Sequence, residues 1–504
     1  MLFNSSVFLF AFLPLVLFGY YTTLRFGGKL AAQLVLFAAS LIFYSWVDPS
    51  WVLIILSMMA VNYFAGMRLI AKREKWLLAA GIAFDLIILG YYKYTAFFVE
   101  NVNAIAATDF VIPKIILPLG ISFFTFQMIA FLADCYKRQA PAKQNWISFG
   151  LFVSFFPQLI AGPIVHHKEM MPQFDKPKAF NADNMAVGLC LLAIGLFKKA
   201  VVADTLATYV DPLFAAAETG PLHMVEAWTA MLAYTFQIYF DFSGYSDMAL
   251  GLGKMFGIRL PVNFYSPYKS RNIVEFWRRW HITLSRFLRD YLYIPLGGNR
   301  KGKPRRYLNL MITMLLGGFW HGASWSFFIW GGLHGLFLIV NHFWGALPRK
   351  QTAMPVWFAR TLTFLSVAVA WIFFRANTAA TAFGMIGSLV SFSDLKGTSL
   401  YAALLTRDSP LRQHFPASDA NMLTIILILC LLGCWLLPNS IEIMRRGKPA
   451  ISGIRGFPLP RGKASDVLTW QPRMAWGVFF GIVMSLCIIK VLYEPSNVFL
   501  YFQF

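Results

Sequence analysis

Apolar runs recur from one end of this chain to the other, among them Val7 to Tyr21, Tyr307 to Trp320, Val356 to Phe374 and Ala475 to Leu492. In hydrocarbon no water satisfies backbone N–H and C=O groups, so such runs must become helices that make their hydrogen bonds within themselves. Composition agrees: of 504 residues 58% are hydrophobic and 17% aromatic, with 13% charged, which excludes an ordinary soluble domain. The expectation is an all-α, polytopic membrane protein of about 11 transmembrane helices with re-entrant and interfacial pieces. One integrated domain, residues 1–504, is expected.

The formal net charge of +21 raises nucleic acid as a partner, but the basic residues lie in short clusters between apolar runs, as cytoplasmic loops do. Arg25 and Lys29 follow the first run, which reads as a retained span. Asp48 follows the second, and Arg68, Lys72, Arg73 and Lys75 the third. Lys93 stands after the fourth, and Lys137, Arg138 and Lys143 after the fifth. The alternation places the N-terminus outside. Arg445, Arg446, Lys448, Arg455, Arg461 and Lys463 would then lie inside, and the last span would lead to an external C-terminus. Arg349 and Lys350 fall inside, while 377–392 and the loop to Ala420 fall outside as docking surfaces. Five cysteines without a CxxC pair read as buried apolar residues.

The most informative stretch runs from Glu275 to Trp325. With helical periodicity, Ile273, Phe276, Trp277, Trp280, Leu284, Phe287, Leu288 and Tyr291 share one face, and Glu275, Arg278, Arg279, Arg286, Arg289 and Asp290 the other. That pattern predicts one amphipathic, interfacial helix with His281 at the edge of its apolar face. Glu275 with Arg279 and Arg286 with Asp290 are i,i+4 pairs. After a basic turn, Gly297 to Arg306, a helix from Tyr307 to Trp320 climbs about 21 Å at 1.5 Å per residue, against a hydrocarbon core of about 30 Å. His321 then falls within the membrane. A lone intramembrane histidine can be a helix-to-helix hydrogen bonder. Here Gly317, Gly318 and Gly322 permit close backbone approach, and Trp320 and Trp325 flank the position, which favours a functional site.

Four segments in order, FFPQLIAGPIV at 155–165, YFDFSGYSDMALGLGKMFGI at 239–258, EFWRRWHITLSRFLRDYLYIPLGGNR from 275 and GGFWHGASW ending at 325, resemble the membrane-bound O-acyltransferase superfamily. The similarity is to the branch of the bacterial alginate O-acetyltransferase membrane subunit and covers nearly the whole chain. The resemblance implies that His321 is catalytic, that His281 lies on the same reaction path, and that the catalytic core spans 147–346.

Other polar positions within apolar sequence need partners. Pro157, Gly162 and Pro163 interrupt 147–165, which reads as kinked or re-entrant. Adjacent His166 and His167 read as diverging side chains without a third ligand, so no metal is expected. Asp241 and Asp247, with Ser243 nearby, are costly in a membrane. A bracing network with Arg278 or Lys254 is favoured over direct chemistry. Asp241, Ser243, Trp280 and Trp320 are expected to support a tunnel, and His334, His342 and His414 to be structural.

No GxSxG elbow, P-loop, HExxH or Rossmann glycine pattern is present. An imidazole suited to take a hydroxyl proton remains. The resemblance supplies an acyl thioester donor, acetyl-CoA, with no bound cofactor. Arg278, Arg279 and Lys269, with the Arg300 to Arg306 loop, are candidates for holding its phosphates, and lipid headgroups are the competing ligand. It also implies location in the bacterial inner membrane and periplasmic acetyltransferase partners within a polymer-secretion complex, and the charge alternation then puts both termini on the periplasmic side. Broken helices with intramembrane polar groups also suit a transporter or flippase, against which the lack of a visible inverted repeat counts.

Overall fold

The structure is a computed structural model that describes residues 1–111, 115–140, 145–347, 354–392, 411, 414–451, 468–493 and 499–500. Lys143, Arg349, Lys350, Arg455, Arg461, Lys463 and most of the outer loop before Ala420 lie outside them. The described elements are α-, 3-10 and π-helices, with no strand among them. Nine described helices are long and apolar enough to cross a membrane, and Ile121–Tyr136 and Ala379–Leu389 are shorter apolar helices. The chain is therefore an all-helical, multi-pass membrane protein.

The described residues fall into two compact units. The first comprises Met1–Phe197, Gly244–Asn263 and Ser440–Gln503; the second comprises Lys198–Ser243 and Phe264–Asn439. In the first unit, helix Lys75–Ala106 runs for 32 residues, about 48 Å at 1.5 Å per residue. It carries Lys93 within it rather than in the loop expected after a fourth span, because the helix outruns the hydrocarbon thickness. The interrupted stretch at 147–165 is kinked as its prolines and glycine dictate. Trp146–Ser154 is helical, Phe155 leaves the helix at ψ 109°, and Phe156–Leu159 resumes it. A Cβ on Gly162 would meet Gln158 Cα at 2.4 Å, so this turn depends on glycine.

In the second unit, helix Gly302–His321 packs on Trp325–Trp344 through bare backbone. A Cβ on Gly318 would meet the Phe327 carbonyl at 2.4 Å, and one on Gly331 the Met314 carbonyl at the same distance. This crossing fixes the connection on which His321 sits.

Candidate active site

His321 is the last residue of helix 302–321, and Gly322 leaves the helix in an extended conformation. The imidazole is buried, with ring centroids of Trp320, Trp330 and Phe374 at 4.8, 5.0 and 5.2 Å. Trp320 flanks it as expected, but Trp325 is 56% exposed. Trp325 opens the next helix and faces away, so Trp330, one and a half turns later, supplies the second indole. A Cβ on Gly322 would strike the Phe327 ring at 2.1 Å, so glycine is what lets the chain reverse this tightly after His321.

His281 corrects the single amphipathic helix. Ile273–Trp277 and Ile282–Leu288 are separate short helices, and His281 between them is left-handed, φ 42° and ψ 54°. In a continuous helix the Arg279 carbonyl would accept from Thr283 N–H; instead it accepts from Tyr265 N–H at 2.9 Å. Helical periodicity is retained across the break, so the buried face is nearly the predicted one, with Phe276, Trp277, Trp280, Leu284, Phe287 and Leu288 buried. His281 is not at the edge of that face but fully buried, against Phe242 at 4.7 Å and Trp320 at 6.5 Å. Burial pushes its imidazole down to about 3, so it is neutral at physiological pH.

Trp320 thus touches both histidines, and the cluster extends to a third. His334, which sequence reasoning set aside as structural, is fully buried, with Trp330 at 4.7 Å and Trp277 at 5.1 Å. Neither of its ring nitrogens has a hydrogen-bond partner among the described residues. The signal available was its position four residues after Trp330 on one helical face. Trp280 belongs to the same aromatic layer, 4.9 Å from Trp371. His342 accepts from Arg306 at 2.6 Å, and His414 pairs with Glu226 at 3.0 Å.

The charged partners differ from those expected. Asp241 pairs with Lys199 at 2.6 Å, and Lys199 also pairs with Asp204 at 2.8 Å. Lys199 lies in a π-helical turn, Phe197–Ala203, inside an apolar run. Such a turn shifts side-chain registry by one residue and is frequent at functional sites. Asp247 accepts from Ser440 at 2.8 Å, while Lys254 donates to the Lys448 carbonyl at 3.1 Å and Arg278 is exposed. Ser243 is buried, its hydroxyl without a hydrogen-bond partner among the described residues. Of the three cations considered for the donor, Arg279 is held by Glu275 at 2.8 Å and by the Tyr265 carbonyl at 3.1 Å. Lys269 donates to the Leu437 carbonyl at 2.7 Å. Of the three, Arg278 is the exposed one, with no ion pair or hydrogen bond from its side chain among the described residues. On the same segment, Asp290 pairs with Arg289 at 2.7 Å.

His166 and His167 do not diverge, and a third ligand type does join them. His166 is extended and caps helix His167–Asp175, which brings the two rings to 4.5 Å. Asp134 lies 2.7 Å from His166 Nε2 and 3.6 Å from His167 Nδ1. The three ligand atoms fall within 4.8 Å of one another, so a third potential ligand does stand beside the pair. Asp134 came from a distant helix, which no local spacing could reveal.

Comparison with known proteins places the chain in a class. The membrane-bound O-acyltransferase family model matches residues 137–383. The peptidoglycan O-acetyltransferase of Helicobacter pylori is 45% identical over 79% of this chain and 81% of its own length. The protein named "Probable alginate O-acetylase AlgI" of Pseudomonas putida is 44% identical over 81% of this chain and 84% of its own. The teichoic acid D-alanyltransferase of Streptococcus thermophilus is 32% identical over 46% of this chain and 58% of its own length. The chain belongs to the membrane-bound O-acyltransferase family, in the branch that holds the alginate O-acetylases, and is an O-acyltransferase.

Proposed function

We propose that this chain takes an acetyl group from a cytoplasmic thioester donor, acetyl-CoA, and passes it across the bacterial inner membrane for O-acetylation of an extracellular polysaccharide, alginate-like or related. The observation that carries this reading is the burial of His321 among Trp320, Trp330 and Phe374, at the end of a helix and against a glycine-dependent turn. The names of relatives above 40% identity supply acetyl transfer and a polymer acceptor.

In the proposed mechanism His321 takes the proton of the acceptor hydroxyl. The freed oxygen attacks the thioester carbonyl, the C–S bond breaks, and His321 returns the proton to the departing thiolate. A well-placed base of this kind contributes about 10²–10⁴ in rate. His281, neutral and beside Trp320, steadies the developing oxyanion. Arg278 holds donor phosphate, while Arg279 and Lys269, already engaged, brace the surrounding backbone. Asp241 with Lys199, Ser243 and Trp280 hold the walls. Periplasmic acetyltransferase partners complete transfer to the polymer, and both chain termini lie on their side.

Membrane vesicles carrying the chain and given acetyl-labelled coenzyme A test this reading. Label passing to partner or polymer, and lost with His321→Ala at matched expression, is the expected result. Transfer that persists in the variant would remove His321 from the reaction; transfer from another thioester alone would replace the donor.

A further inference from the structure

In the first unit, outside the aromatic cluster, a cavity of about 480 Å³ is lined by five cations, Lys178, Lys254, Arg259, Arg446 and Lys448, with Asp183 as the single acid. None of the five has a carboxylate within ion-pair distance among the described residues. The concentration is built by the backbone. Helix Met224–Met255 carries Lys254 in its last turn, and Gly257 at φ 73° turns the chain so that Arg259 follows on the same rim. From the C-terminal part of the chain, a 3-10 turn, Arg445–Gly447, lies so close to Val187 that a Cβ on Gly447 would meet its Cγ2 at 2.5 Å. Lys448 is left-handed, φ 47°, and its carbonyl accepts from Lys254 Nζ at 3.1 Å.

Lys254 is 7% exposed, yet that carbonyl, not a carboxylate, is its partner. Burial, then Arg259, Lys178 and Lys448, push its ammonium down to about 8. Cations that repel one another around a recess lack an anion. The mouth adds the first turn of helix Ala182–Leu196, whose N-terminal dipole end also favours negative charge. Trp470, buried, gives the cavity an aromatic wall.

We propose that this cavity is a binding site for a phosphate-bearing ligand, the head of an anionic phospholipid or a soluble phosphate ester. A single anion of charge two or more, engaged by Lys178, Lys254, Arg259, Arg446 and Lys448 together, relieves the repulsion among them.

The test is titration of inorganic pyrophosphate into the full chain in phosphatidylcholine nanodiscs. Wild type binds, and Arg446→Gln with Lys448→Gly weakens binding about tenfold or more, since each removed cation contributes a charge-assisted contact. Glycine suits the left-handed backbone at 448, and Lys178→Gln, on a separate exposed segment, gives an independent loss at unchanged melting temperature. Lys72→Gln with Lys75→Gln, exposed cations elsewhere, leaves affinity as in wild type. In nanodiscs containing phosphatidylglycerol, reduced pyrophosphate affinity assigns the site to a lipid headgroup, and unchanged affinity assigns it to a soluble phosphate ester. Absence of pyrophosphate binding in phosphatidylcholine, or equal binding by all variants, overturns the proposal.

Discussion

Lys199 is a buried cation held between two carboxylates. It follows Lys198 in an apolar run and sits 3% exposed between Asp241 and Asp204. Its presence was legible: a lysine and an aspartate, each stranded in apolar sequence, are each other's natural partners in a membrane. The choice of Lys199 over Arg278 was not, because it depends on the π-helical turn at 197–203. Lys199→Met removes the cation shared by the buried Asp241 and the part-buried Asp204 and should cost about 3–5 kcal/mol. A thermal melt in detergent checks it, and adding Asp241→Asn should recover part of the loss. A Lys199→Met protein as stable as wild type would show that the pair does not brace the fold. His281 was found by its motif, yet its burial was not foreseen. His281→Ala should lower kcat and leave graded residual activity, and Arg278→Ala should mainly raise the donor KM, as binding common to ground and transition states requires. The reverse split in steady-state kinetics would exchange the two roles.

Helices were legible wherever apolar runs were long, since the bilayer leaves the backbone no alternative. Breaks were legible only where proline or glycine marks them, as at Pro157 and Gly162. The break at 278–281 carries neither. It arises because the Arg279 carbonyl turns to Tyr265, fourteen residues earlier, a contact that no periodicity within the segment encodes. The crossing of helices 302–321 and 325–344 is the opposite case, written in glycines. Gly318→Val puts side-chain atoms where the Phe327 carbonyl stands 2.4 Å from the Cβ position. Overpacking there should cost about 1–3 kcal/mol and displace the His321 turn. The expected result is a lowered melting temperature together with lost transfer. A variant that keeps full activity would show that the close crossing is not what positions His321.

For the whole molecule, charge distribution predicts the orientation that the proposed acyl transfer across the membrane requires. In a background cleared of the five native cysteines, a cysteine placed within Arg300 to Arg306 should react only with membrane-permeant thiol reagents, and one at Asp48 with impermeant ones. The opposite labelling would invert the topology and put the proposed donor side outside. The multi-pass helical architecture was legible from composition and the family from four motifs. The joining of three histidines through Trp320, Trp330 and Trp277 was not, because those contacts unite segments from 277 to 334 across two reversals of the chain. In the proposed mechanism His321 performs chemistry rather than holding the donor. Single-turnover transfer and equilibrium donor binding, measured together on purified His321→Ala, test it most directly. Donor affinity close to wild type with turnover abolished is the expected result; lost donor binding, or turnover near the wild-type rate, would take the chemistry away from His321.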